Sequence, residues 1–368
     1  MTGRRVCLVL GRSAGGIARH VGQVTSLLDG REGLTIDIAG PPDLPIPLPK
    51  EPVEVRIPSG PIRGHRAAIR RLREIFTDGR YDLVHAHGLR ASIDAGVAAR
   101  RLGLPVLSTV HNLVRPEIAG HVKAPLYRRA ESLSLRVTGR TFAVSEEIAR
   151  HLRKTVPSQA DKVEVLYLGV GKAPGVGRRA SEVRAELGLA DGTPLVVTAA
   201  RLAPQKALSV MIGAVAQCKT HPSLAIVGEG PQRDELEDAA SRAAPGRVCF
   251  LGWRDDIADF VAAADAFCLS SVWEGIPLAV QEAILLGTPV VATEAGGMSE
   301  VVADGETGLL VPVGDAAALA GALDAVLGDP VLAANFVEKG RALLGARFST
   351  DAMAARLKAA YLESAGRA

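Results

Sequence analysis

The sequence predicts an α/β protein built of two parallel-sheet domains, and three observations carry that prediction. Short apolar strands alternate with helical stretches along the whole chain, the pattern of sheets covered by helices on both faces. Around residues 169–179, GVGKAPGVGRR, the composition turns to Gly, Pro and charge, which marks a linker. Charge divides at the same place. Residues 1–170 hold 26 Lys+Arg against 16 Asp+Glu (+10), and residues 171–368 hold 17 against 24 (−7).

In the first half, residues 6–11 (VCLVLG) form a short buried strand that runs into Gly15-Gly16, and a helix follows over 17–28. A strand, glycines and a helix start let backbone N–H groups come close to a phosphate, although the spacing falls short of a full dinucleotide fingerprint. Strands at 35–39 and 53–57 flank a Pro-rich loop, and an arginine-rich helix spans 62–76 (IRGHRAAIRRLREIF). Strand 81–87 (YDLVHAH), helix 93–102, strand 106–111 (VLSTVH), helix 123–135, strand 141–145, helix 146–154 and strand 163–168 complete the series.

The second half repeats the alternation. It predicts helix 180–187, strand 194–199, helix 208–219, strand 223–227, helix 231–243, strand 248–251, helix 257–263 and strand 266–270. Then comes SSVWEGIPLAVQEAILLGTPVVATEAGGMSEVVADGETGLLVP at 270–312. Here Pro277 suits the first position of a helix over 277–287, because its missing N–H is not needed there, and Gly287 reads as the stop. Strand 289–293, Gly296-Gly297, a short helix and a turn at Asp304-Gly305 follow. Helices at 316–327 and 332–343 lead into a last one at 350–364.

Composition excludes several classes. Apolar content of 48% supplies sizeable cores, and 23% charged residues is not the balance of a disordered chain. No apolar run is long enough to span a bilayer. Residues 1–21 carry arginines within their apolar stretch and do not read as a signal peptide. Cys7, Cys218, Cys249 and Cys268 lie far apart with no CxxC pair, which reads as buried free thiols in a reducing cytoplasm. Low aromatic content and the lack of a reading motif argue against nucleic-acid binding.

The polar residues collect where predicted strands end, which is where open α/β sheets bind ligands. Glu274 and Glu282 bracket a helix entrance whose free N–H groups favour an anion. A carboxylate suits a vicinal diol, since its oxygens each accept one hydroxyl proton. Hydroxyls around a phosphate describe a sugar nucleotide; a solvated Glu and a dipole-favoured helix Glu is the plainer reading. Arg201 and Lys206 in AARLAPQK follow a strand and can clamp a diphosphate, or stand as a solvated loop pair. Gly228 in GEGP and Trp253-Arg254 in LGWRD also follow strands; their main chain can meet a ligand, with Trp253 as core filler the alternative. His111, followed by a loop with Arg115, is either a ligand contact or a structural strand-end histidine. His85 and His87 share one strand face. No further ligand is evident beside them, and no Asp-x-Asp is present to hold a divalent ion, so no metal is expected.

Taken together, Glu274-x7-Glu282, Arg201…Lys206, GEGP at 228–231, FLGW at 250–253, GGMSEVVADGETGLLVP at 296–312, GGIARHV at 15–21, YDLVHAHG at 81–88 and TVHN at 109–112 resemble the retaining family 4 glycosyltransferases. The resemblance covers nearly the whole chain. It implies a GT-B fold of two facing Rossmann-like domains across a deep cleft: an acceptor domain at 1–169, with the C-terminal helix 350–368 crossing back to it, and a nucleotide-sugar donor domain at 170–349. It implies that Glu274 and the backbone of Gly275, Ile276, Pro277 and Leu278 hold donor-sugar hydroxyls, and that Glu282 binds the ribose. Arg201 and Lys206 would hold the diphosphate, with Gly15 and Gly16 facing it. His111 would lie beside the sugar, and Gly228, Trp253 and Arg254 would complete the donor site.

The family is thought to work by a front-face route in which the leaving phosphate helps deprotonate the acceptor, so Glu274 is a positioner and not a covalent nucleophile. Three positions depart from the family pattern: Leu168-Gly169-Val170-Gly171 replaces Asn-Gly-Val-Asp, Gln205 a frequent Glu, and Ala207 a frequent Gly. No cofactor is expected beyond a UDP- or GDP-sugar as substrate. The basic first half suits an anionic or lipid-linked acceptor, or peripheral contact with the inner face of a membrane by a cytoplasmic protein. Arg63, Arg66, Arg70, Arg71 and Arg73 on the 62–76 helix either face lipid or crown a surface helix packed on its own sheet. The competing functions are a sugar-nucleotide epimerase of similar shape and a non-catalytic sugar-nucleotide-binding subunit.

Overall fold

A computed structural model of the chain describes residues 3–12, 15–31, 33–44, 47–60, 63–113 and 124–365. It divides into two compact units, Met1–Gly169 with Thr350–Ala368, and Val170–Ser349. Ile62, Arg115 and Lys123 lie outside the described residues.

The first unit is built on β1 (Arg4–Leu10), β2 (Leu34–Gly40), β3 (Val53–Glu54), β4 (Leu83–His87), β5 (Val106–Val110), β6 (Arg140–Ala143) and β7 (Val163–Val165). They form one parallel sheet in the order β3-β2-β1-β4-β5-β6-β7. Strand order reverses between β1 and β4, the switch point at whose carboxyl ends such sheets take ligands. Alternate residues of β1 serve opposite cores, as the two-residue period of a strand requires. Val6, Leu8 and Leu10 pack with the helices Gly16–Leu28 and Thr350–Ala365, whereas Cys7 and Val9 pack with Leu72, Phe76 and Ala95. The last helix contributes Met353, Leu357 and Tyr361, each at most 3% exposed. At roughly 1.5–3 kcal/mol per fully buried side chain, these three anchor the C-terminal segment to this unit.

Two local expectations shift here. β3 is shorter than 53–57 because its partner β2 stops at Gly40, where Pro41 and Pro42 offer no N–H to extend the ladder. The arginine-rich helix runs His65–Gly79, entered through Gly64 at φ 89. Its Ala68, Leu72, Ile75 and Phe76 are buried against the sheet, and Arg66, Arg70 and Arg71 face outward. The apolar stripe is therefore covered, and the outer face presents the arginines together with Glu74 and Asp78, Arg71 pairing with Glu74 at 3.3 Å.

The second unit holds β8 (Leu195–Ala199), β9 (Ser223–Val227), β10 (Val248–Gly252), β11 (Ala266–Leu269), β12 (Val290–Thr293) and β13 (Leu309–Val311). The sheet is again parallel, in the order β10-β9-β8-β11-β12-β13, with its reversal between β8 and β11. The short β13, too brief for a readable pattern, completes one edge. At the other edge Cys249 is exposed, correcting its reading as a buried thiol, because β10 has a neighbour on one side only. Cys7, Cys218 and Cys268 are buried and free. Among the described residues no single helix is long and apolar enough to cross a membrane.

Candidate active site

In the second unit the loops after β8 and β11, the two strands at the switch point, are tied into one construction. β8 runs into Arg201 and a single 3-10 turn, Pro204–Lys206, which places the Lys206 ammonium 2.5 Å from Glu274 Oε1 on the loop after β11. The same carboxylate oxygen accepts from Ser271 Oγ at 2.5 Å. Glu274 is buried, with 9% of its side chain exposed against 21% for Lys206, so the ammonium neutralises a carboxylate that water barely reaches. Around this pair, Gln205 Nε2 donates to Trp273 O (2.8 Å) and Val272 N donates to Gln205 O (2.8 Å). Ser270 Oγ donates to Lys206 O at 2.8 Å. The amide of Gln205 thus joins the two loops, a job its family counterpart Glu cannot do as a donor. Arg201 is exposed, and among the described residues its guanidinium has no ion-pair partner.

Ala207, next to Lys206, sits in the left-handed region at φ 43, ψ 43. That conformation explains why glycine is frequent at this place: an L side chain there costs about 1 kcal/mol or more.

The glycines let neighbouring loops pack closely. A Cβ on Gly228 would strike Ala200 O, and one on Gly230 would strike Leu202 O. GEGP therefore lies flat against the Arg201 loop, fixed by Leu202 N donating to Glu229 O at 3.0 Å. The side of each glycine where a Cβ would stand is thus filled by that loop. In the same way Gly296 (φ 61) and Gly297 lie against the backbone of Glu274 and Gly275, with Gly297 N donating to Glu274 O at 3.1 Å. The helix Leu278–Leu286 starts one residue later than expected. Pro277 has an extended ψ of 98 and is the N-cap, its carbonyl accepting from Val280 N (3.1 Å) and Gln281 N (3.3 Å). Gly287 closes that helix at φ 95. Glu282 is half-buried on it, four residues after Leu278.

Trp253 is 54% exposed, so it does not fill a core gap. Arg254 is committed elsewhere than to an open ligand. Its Nε and one NH2 group donate to the two oxygens of Asp256 at 2.7 Å each, and another reaches Glu186 at 3.1 Å. Its guanidinium carbon lies 4.8 Å from the centroid of the Phe260 ring. Arg178 joins the same acids, so the Arg254 side chain is held in a structural network and only its main chain remains for the donor site. Hydrogen bonding to Arg254 pulls the Asp256 carboxyl down to about 2.

In the first unit the carboxyl ends of β1, β4 and β5 lead to Gly15-Gly16, His87 and His111 respectively. Gly15 is the N-cap of Gly16–Leu28, and a Cβ there would meet nothing within 4 Å. His111, just past β5, is 9% exposed. Its Nε2 lies 3.3 Å from His87 Nδ1. His20, from the first helix, packs edge-on against both rings at centroid distances of 5.4 and 5.3 Å. His85 stacks 4.3 Å from His87 and bonds Tyr361 Oη (2.7 Å) and Thr109 Oγ1 (2.8 Å). Burial holds all four imidazoles neutral: His20 falls to about 4 and His85 to about 3, and His87 and His111 lie well below the ordinary range.

Sequence reasoning paired His85 with His87 and saw no third partner. The structure brings in His20 and His111, and the GGIARHV motif was the one sign of His20. His20, His87 and His111 can each aim one nitrogen into a common space, all within 4.8 Å. Ligand nitrogens around a tetrahedral ion at 2.0–2.1 Å stand about 3.3 Å apart. A metal would therefore have to draw these rings inward.

The family described as glycosyl transferases group 1 matches residues 180–343, and the family described as Glycosyltransferase Family 4 matches residues 14–172. A lipopolysaccharide core biosynthesis glycosyltransferase of Rhizobium meliloti is 36% identical over 49% of this chain and 53% of its own length. A D-inositol 3-phosphate glycosyltransferase of Acidothermus cellulolyticus is 32% identical over 85% of this chain and 72% of its own. The chain thus spans from about half to nearly three quarters of these relatives. Among solved structures, Anabaena HepE in complex with UDP and glucose superposes with a TM-score of 0.82 at 23% identity, covering 97% of this chain and 99% of that one. These matches set the epimerase reading aside. The chain belongs to the family 4 glycosyltransferases, with the GT-B architecture of two parallel-sheet units.

Proposed function

We propose that this protein transfers a sugar from a nucleoside-diphosphate donor to an acceptor hydroxyl with retention of configuration. The observation that carries the proposal is the Lys206–Glu274 pair at 2.5 Å, standing at the switch-point strands of the second unit, with exposed Arg201 on the same loop as Lys206. As the glycosidic bond breaks, negative charge grows on the departing diphosphate. Fixed cations at that place stabilise the transition state more than the ground state. Arg201 and Lys206 take the diphosphate. Glu274 and the backbone of Gly275, Ile276, Pro277 and Leu278 hold the sugar hydroxyls, and Glu282 takes the ribose diol. Within the first unit, the uncapped start of Gly16–Leu28 offers N–H groups that suit a phosphate, and His111 is the side chain we read as facing a sugar.

A UDP-sugar is the donor this reading favours, since HepE was crystallised with UDP and glucose. No metal or cofactor is part of the proposed chemistry: the leaving phosphate takes the acceptor proton, and the cations do what a divalent ion would otherwise do. The outward arginines of His65–Gly79 suit an anionic or lipid-linked acceptor, with the protein working in the cytoplasm at the inner membrane face. Their contact would be electrostatic alone, since the apolar face of that helix is buried.

The test is incubation of the full chain with UDP-, GDP- and ADP-sugars, assaying released nucleotide and the anomeric configuration of the product. Release from at least one donor, lowered strongly in Lys206→Ala and Glu274→Ala, is the expected result. Near wild-type rates in both variants would remove the mechanism. Donor binding without any release would favour the non-catalytic subunit.

A further inference from the structure

We propose that His87 is a positioning residue for His111, holding it in the tautomer that carries its proton on Nδ1, so that His111 meets its ligand as a hydrogen-bond donor and not as a base. The inference rests on the reading of His111 as a donor-facing residue.

The two rings are joined by a single contact, His87 Nδ1 to His111 Nε2 at 3.3 Å. Both rings are neutral, so each carries one N–H, and that contact contains one proton shared between two nitrogens. Two arrangements satisfy it. In one, His87 donates from Nδ1, its own Nε2 is a bare lone pair, and the His111 proton is on Nδ1. In the other, His111 donates from Nε2, and His87 must carry its proton on its own Nε2.

The surroundings of His87 separate the two. Its Nε2 is buried and has no partner among the described residues. A buried N–H left without an acceptor is rarer and more costly than an under-used acceptor. The first arrangement leaves an unused lone pair there, whereas the second leaves an orphaned donor. The unpartnered His87 Nε2 therefore favours donation from His87 and a proton on His111 Nδ1.

The rest of the cluster fixes the rings in place. His85 is pinned from both sides by Tyr361 and Thr109 and stacks on His87. His20 closes the opposite side, edge-on to both His87 and His111. Tyr361 belongs to the last helix, so the segment Thr350–Ala365 supports the orientation of a residue far from it in sequence.

The test uses the full chain with ¹⁵N-labelled histidine and long-range ¹H–¹⁵N correlation, alongside released-nucleotide kinetics. His111 in the wild-type protein should show a protonated Nδ1 and an unprotonated Nε2. His87→Asn keeps an N–H donor close to the position of Nδ1, so it should preserve that pattern and keep turnover within about threefold of wild type. His87→Leu should leave His111 a mixture of tautomers and lower kcat by about tenfold or more, with the donor KM little changed. An Nε2-protonated His111 in the wild type would overturn the proposal, and so would a His87→Leu protein with unaltered His111 signals and kcat. Should His87→Leu fail to fold, the wild-type spectrum alone decides. Should no donor turn over, the transferase reading falls while the tautomer result stands independently.

Discussion

Lys206 Nζ and Glu274 Oε1 lie 2.5 Å apart across a sequence separation of 68 residues, and neither side chain reaches the other through its own element. Two adjacent parallel strands, β8 and β11, deliver them. The pair is preformed, so in the proposed reaction a diphosphate reaching Lys206 would meet an ammonium whose position is already set. Removing either partner has unequal effects. Lys206→Ala leaves a buried carboxylate with Ser271 as its remaining side-chain donor among the described residues, and should cost roughly 2–4 kcal/mol of stability by urea denaturation. Glu274→Gln keeps the shape and should cost less stability. Both should lower released-nucleotide turnover by about 10²-fold, the usual scale for one electrostatic group at a developing charge.

Ala207→Gly should stabilise the protein. The alanine holds φ 43, and relieving it should outweigh the greater freedom of glycine in the unfolded chain, for a net gain of about 0.5–1 kcal/mol. Thermal and urea midpoints check this, with His221, also at a positive φ of 47, left unchanged as the reference strained position.

Gly296→Ala should be among the most damaging single-methyl changes. Its Cβ would drive into the Glu274 carbonyl, in a backbone with φ 61. A loss of roughly 3 kcal/mol or more, together with loss of turnover, is expected by equilibrium denaturation and the nucleotide-release assay. Gly305→Ala has a similar φ of 71 but open space, so it should cost only about 1 kcal/mol.

The Arg254–Asp256 contact gives a pH signature. Asp256 is depressed to about 2 in the folded protein against about 3.9 unfolded, so its contribution is present above pH 4 and is lost as pH falls toward 2. The side chain is 30% exposed, and after solvent screening the contribution is about 1 kcal/mol. Arg254→Ala should therefore lower stability at pH 6 by about that amount, and the difference from wild type should shrink at pH 3, measured by urea titration at both values.

Much of this protein was legible in its residues. Alternating apolar strands and helices announced parallel sheets, since a strand buried on both faces is apolar along its length, as AFCL is. Strand-end loops marked Arg201, Lys206, Glu274 and His111, because the chain exposes polar groups where a strand stops. The commitment of Arg254 to Asp256 and Glu186 was not legible, nor was the collision that makes Gly296 necessary. Each depends on what another loop does.

The sequence by itself determined the elements, the fold class and the family, because strand and helix periods and turn residues are local and repeat along the chain. Only the tertiary structure decided the partnerships. Lys206 meets Glu274, Gly296 passes Glu274, and Tyr361 reaches His85 across 276 residues. Such contacts follow from strand order, which no local spacing records, and from burial, which forces each enclosed polar atom to find whatever partner the fold brings beside it.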